Sequence, residues 1–131
     1  TAVRPGDGRG DRAALTTIYF LLAGGAVSRW HRVRSDEVWA YCEGDPIELL
    51  TLSEEFDQPE RHLLGPLQDG MAPVHVAAAG RWQAARTLGA STLVTCTVGP
   101  GFVFDDFEML RDDESRRTAF EERYPSFMPY L

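Results

Sequence analysis

A chain of 131 residues, 44% of them hydrophobic, is long enough for one domain with a core and ordinary in composition for a globular fold. Its net charge of −7 argues against a nucleic-acid partner, which requires a basic surface to neutralise phosphates. All thirteen basic residues are arginines, so Schiff-base chemistry on a lysine, including covalently held pyridoxal phosphate, is excluded.

Residues 1–11 are glycine-rich and charged and predict a loop or frayed end. β-branched and aromatic residues over 16–22 predict the first strand, followed by a turn at Ala23-Gly24-Gly25-Ala26. Strands are predicted over 28–33, 37–43 and 47–53, with Gly44-Asp45-Pro46 as a tight turn. The polar stretch 54–66 predicts a loop. Short apolar segments at 73–79 and 82–87 flank a turn at Gly80-Arg81, and a strand follows over 91–98. Gly99-Pro100-Gly101 breaks it, and 102–110 predicts the last strand. The charged segment 112–124 predicts a short helix. No repeat or interdomain linker is visible, so 1–131 reads as one domain with its core at about 12–110. Many short strands with Gly/Pro turns predict an all-β antiparallel sandwich or barrel with a short C-terminal helical or irregular segment.

Cys42 and Cys96 sit in apolar alternating runs and read as free, buried thiols. The apolar run 13–27 is short for a membrane span and lacks a basic leader, so no membrane partner and a cytoplasmic location are expected.

The most informative stretch is 30–44. His31 and Glu37 stand six positions apart, which in one extended strand would span roughly 20 Å. The chain must turn between them for both to reach one ligand, and 32–36 is polar enough to be that turn. The period of two then puts Glu37, Trp39 and Tyr41 on one face of the strand leaving it. Trp30 and Trp82 alternate with His31 and Gln83 and are expected to point away from the interior. Arg29, Arg32 and Arg34 flank the same hairpin, where they read as a solvated face or as a means of steering an anion. His62 falls in the polar loop and reads as exposed.

Gly25, His31, Val33, Glu37 and Gly44 fall at the spacing of the first motif of the cupin superfamily. The segments 17–22, 28–31, 36–39, 44–46, 79–84 and 98–107 together resemble a small single-domain branch of cupins labelled as a domain of unknown function. The resemblance spans about 12–110 and implies a cupin-type antiparallel β-barrel, or jelly roll. Val33 and Gln83 stand where metal cupins carry histidines. No residues here match the His-Pro-Glu-Gly-Gly segment with which the branch usually begins and which helps close its pocket.

The resemblance implies that His31, Glu37 and Gln83 converge inside the barrel. Three readings follow. The three residues hold one divalent transition metal weakly; or they form a hydrogen-bonded cluster in which Gln83 orients His31; or a metal-free His31–Glu37 pair acts as base, with a tyrosine acid across the pocket as in cupin sugar epimerases. Tyr41 is the favoured acid and Tyr19 the alternative. Trp39, His75 and Phe102 are further candidates for touching a ligand, while Asp105 and Asp106 read as surface turn residues. The expected function is an isomerase, epimerase or lyase acting on a small polar, sugar-like molecule, with a non-catalytic ligand-binding barrel or a metal-dependent enzyme as alternatives. Exposed sheet edges and the habit of cupins to pair predict a homodimer.

Overall fold

The computed structural model describes residues 1–131. Two antiparallel sheets face one another. The first contains β3 (Thr16–Ala23), β5 (Asp36–Gly44), β8 (Val74–Ala77) and β10 (Ser91–Gly99), in the order β3-β10-β5-β8. The second contains β4 (Val27–Val33), β6 (Ile47–Leu52), β7 (Glu60–Leu64), β9 (Trp82–Thr87) and β11 (Phe107–Met109), in the order β11-β4-β9-β6-β7. This is the expected jelly-roll arrangement, in the form of two facing sheets.

The sheets differ in how their outer faces are covered. Leu49, Ile47 and Ala85 of the second sheet meet Trp39, Val94 and Leu22 of the first, forming the inter-sheet core. On the other face of the second sheet Trp30, Leu50, Leu52 and Trp82 pack under Phe120 and Tyr130. Those two residues come from α1 (Glu114–Arg123) and the 3₁₀ turn Pro125–Tyr130. The C-terminal segment thus lies over an apolar sheet face, which is why β6 is buried at all six positions instead of alternating. Asp113 caps α1 by accepting from the Arg116 amide. Trp30 and Trp82 point away from the sheet interface, as expected.

Three segments depart from the sequence reading. The stretch 54–66 contains β7, because Leu64 and His62 turn inward from an edge strand paired with β6. Only 107–109 of the last predicted strand pairs; Phe104–Asp106 forms a 3₁₀ turn before it. Residues 1–11 are not an isolated end: β1 (Ala2–Val3) pairs with β2 (Arg12–Ala13), and Arg9 is buried. Asp106, expected at the surface, is buried and accepts hydrogen bonds from both Arg9 and Arg12. The Arg12 guanidinium holds its carboxyl below the usual carboxylate range.

Gly44 ends β5 with φ at 93°, and a side chain there would meet the Ser91 carbonyl at 2.5 Å. Cys96 is buried as expected, whereas Cys42 is exposed at the far end of β5; both are free. No helix is long and apolar enough to cross a membrane.

Candidate functional site

Toward β3, β4 and β11 the two sheets separate around a cavity of about 620 Å³. The hairpin between β4 and β5 turns over 34–35, as the spacing of His31 and Glu37 requires, and brings both residues to this cavity.

His31 sits on the inner face of β4, opposite Gln83 of β9. Its ring stacks on Phe107 at 5.5 Å between centroids. Its Nδ1 lies 2.8 Å from the carbonyl oxygen of Arg29. A carbonyl only accepts, so Nδ1 donates, and Nε2 is left as the lone-pair nitrogen. Burial lowers the pKa of the ring, which favours this neutral form.

Glu37 enters from β5 and is buried. Its Oε1 accepts from Gln83 Nε2 at 3.1 Å, and Gln83 Oε1 in turn accepts from Trp39 Nε1 at 2.6 Å. The indole nitrogen is a donor only, so it dictates which end of the Gln83 amide faces Glu37. Burial raises the pKa of Glu37, against the opposing pull of Gln83 and the Cys96 thiol. The Cys96 thiol is itself pushed up by its own burial and by that carboxyl. The site therefore pairs an imidazole held neutral with a carboxyl held toward its protonated form, which is the separation expected of a base and an acid.

Several expected contacts are absent. Glu37 does not orient His31, because the Arg29 carbonyl does. Gln83 does not orient His31 either; it holds Glu37. The three-residue metal shell is also not assembled. The amide oxygen that Gln83 would offer is taken by Trp39, Val33 supplies no donor, and no group of three or more His, Cys, Asp or Glu side chains is arranged to hold a metal.

Tyr41 shares the inner face with Glu37 and Trp39 but packs on the inter-sheet core, where its hydroxyl donates to the Gly44 carbonyl. A bulge opposite Leu93 and Val94 shifts the register there. Tyr41 does not line the cavity. Tyr19 points outward and is 77% exposed, whereas its neighbours Ile18 and Phe20 line the wall. His75 faces inward from β8 but stacks on His62 at 3.6 Å, joining the edges of the two sheets at β7 and β8. His62 is therefore half-buried rather than exposed, and it bonds Thr51. Trp39 and Phe102 do reach the cavity. Of the three arginines, Arg29 lies on the cavity lining, while Arg32 is paired with Glu54 and Glu108 and lies over Trp82.

Residues that the sequence reading did not single out as ligand contacts complete the wall: Phe20, Cys96, Val98 and Met109. The alternation of β3 and β10 carries the signal for the first three. Met109 sits in a strand of only three residues and leaves no such trace.

The family profile described as Cupin superfamily (DUF985) matches residues 1–110. The chain belongs to this family. Protein SO0799 from Shewanella oneidensis has a similar structure, with a TM-score of 0.78 at 32% identity; the match covers 96% of this cupin and 74% of that chain. A hypothetical protein from Leishmania major matches with a TM-score of 0.80 at 29% identity, covering 96% and 78%. A dTDP sugar isomerase from Desulfovibrio desulfuricans shares the fold at a TM-score of 0.64 and 12% identity, covering 88% of this cupin and 76% of that chain. No curated protein matches the chain.

Proposed function

We propose that this cupin is a small-molecule enzyme of the isomerase, epimerase or lyase type, in which His31 and Glu37 move a proton at a carbon or oxygen of a substrate held in the cavity. One observation carries this reading: the imidazole and the carboxyl on the wall are biased toward complementary states by separate parts of the fold. The Arg29 carbonyl fixes His31 with Nε2 as base. Burial biases Glu37 toward its acid form, against the pull of the Gln83 amide that the Trp39 indole orients.

Gln83 and Trp39 act as positioning residues, since neither exchanges a proton. His31 Nε2 removes the proton and the Glu37 carboxyl donates one, within a wall that is mostly apolar. The tyrosine acid of the epimerase analogy is not used, because Tyr41 and Tyr19 lie elsewhere. The dTDP sugar isomerase shares too little sequence to lend its substrate, so a sugar-like ligand finds no support there. A cytoplasmic setting is part of the same reading, consistent with two unpaired cysteines.

The test is exchange of solvent deuterium into candidate ligands, followed by NMR. The wild-type protein is expected to catalyse exchange, His31→Ala to abolish it, and Glu37→Gln to slow it by at least 100-fold. Binding without exchange in wild-type protein would favour the non-catalytic alternative, a barrel that only holds its ligand.

A further inference from the structure

We propose that the cavity takes a small molecule with an apolar, ring-sized body and a single carbonyl or carboxylate end, not a polyhydroxylated one. This rests on the reading of His31 and Glu37 above and names the substrate class of that site.

Few polar groups on the wall are free to meet a ligand. The Thr16 hydroxyl accepts from the Phe102 amide at 2.9 Å, and the Thr17 hydroxyl is bonded to that of Thr97 at 2.8 Å. Gln83 and the Trp39 indole satisfy one another, and the Cys96 thiol lies against Glu37. What remains for a ligand is His31 Nε2, Glu37 Oε2 and Ser28, because the Arg29 guanidinium donates to the Leu131 carbonyl at 2.9 Å and Gln83 holds Glu37 Oε1. A sugar brings a hydroxyl on nearly every carbon, and each one buried without a partner weakens binding. One oxygen-bearing end, by contrast, is served by the Glu37 carboxyl and the Ser28 hydroxyl.

The rest of the wall is apolar and rich in aromatic rings. Phe102, Phe104 and Phe107 stand edge to face at 5.2 to 6.4 Å and, with Phe20 and Trp39, present rings to the cavity. At the opening Phe104 is 81% exposed and Ile18 60% exposed. Large apolar side chains left in water around a concave site mark a surface that gains by covering an apolar ligand. A volume of about 620 Å³ is in the range for a drug-sized molecule.

The probes are 3-phenylpropanoate, 4-phenyl-2-butanone and D-glucose, titrated into the full chain by NMR with calorimetry. Both phenyl probes are expected to bind at least 10-fold more tightly than glucose. Phe104→Ser and Ile18→Ser, exposed positions whose replacement leaves the core intact, are expected to weaken both by at least 5-fold with an unchanged circular dichroism spectrum. Glucose binding as tightly as the phenyl probes would overturn the proposal. So would phenyl affinities that neither substitution alters, because binding would then lie elsewhere. The two readings fail separately. Phenyl probes that bind as expected while no ligand exchanges deuterium would remove the acid–base reading and leave this one. His31-dependent exchange on a sugar, with the phenyl probes unbound, would do the reverse.

Discussion

Glu37 has no basic partner and is buried against an amide and a thiol, so its ionisation carries a cost. Its folded pKa is raised, so its contribution to stability is complete below the ordinary carboxylate pKa and is lost as pH rises through the raised value. Glu37→Gln keeps the acceptor for Gln83 Nε2 and removes the ionisation. The variant is therefore expected to gain stability over wild type as pH rises above the ordinary carboxylate pKa. Denaturation curves from pH 4 to 9 check this, and parallel curves would contradict it. Activity follows a related logic. Neutral His31 and protonated Glu37 coexist above the lowered histidine pKa and below the raised carboxyl pKa, so exchange is expected to rise with pH through the first and fall through the second.

At the scale of elements, the C-terminal segment is a structural cover. Phe120 is completely buried, with its ring 5.6 Å from Trp30 and 5.9 Å from Phe56. Phe120→Ala is expected to cost about 3–5 kcal/mol of unfolding free energy in a urea titration, and a loss below 1 kcal/mol would show that the cover is dispensable. The opposite end is held by charge. The pull of Arg12 and Arg9 depresses the Asp106 pKa, so its contribution is present above the ordinary carboxylate pKa and is lost as pH falls through the depressed value.

Much of this was legible in the sequence. Period-two alternation located most strands, and the turn between His31 and Glu37 followed from the length of an extended strand. Trp30 and Trp82 faced away from the interior because they alternate with His31 and Gln83. The rest depended on contacts distant in sequence. The burial of Asp106 depends on arginines more than 90 positions away. Tyr41 kept the predicted face, yet a bulge and a bond to Gly44 left it outside the cavity. The role of Gln83 required knowing that an indole from another strand claims its oxygen.

For the whole molecule, we propose a homodimer formed through the outer face of the four-stranded sheet. Tyr19, Leu21, Val74 and Val76 are each at least half exposed there, and Val38, Ala40, Leu93 and Thr95 lie between them. None of these eight side chains is charged, and Glu43 beside Leu93 and Asp36 beyond Val38 bound the patch, so two copies of a chain with net charge −7 meet first through its apolar centre. Sedimentation equilibrium at micromolar concentration is expected to give twice the chain mass, and Leu21→Glu with Val76→Glu to give the chain mass. A monomeric wild-type protein would contradict the pairing.

The acid–base reading depends most on the state of one ring. A ¹⁵N NMR titration of the histidines, with His31 assigned by its absence in His31→Ala, reads that state without a substrate. The account predicts a neutral His31 with the proton on Nδ1, persisting to a pH below the ordinary histidine pKa. A proton on Nε2, or a ring that charges at or above the ordinary value, would contradict it.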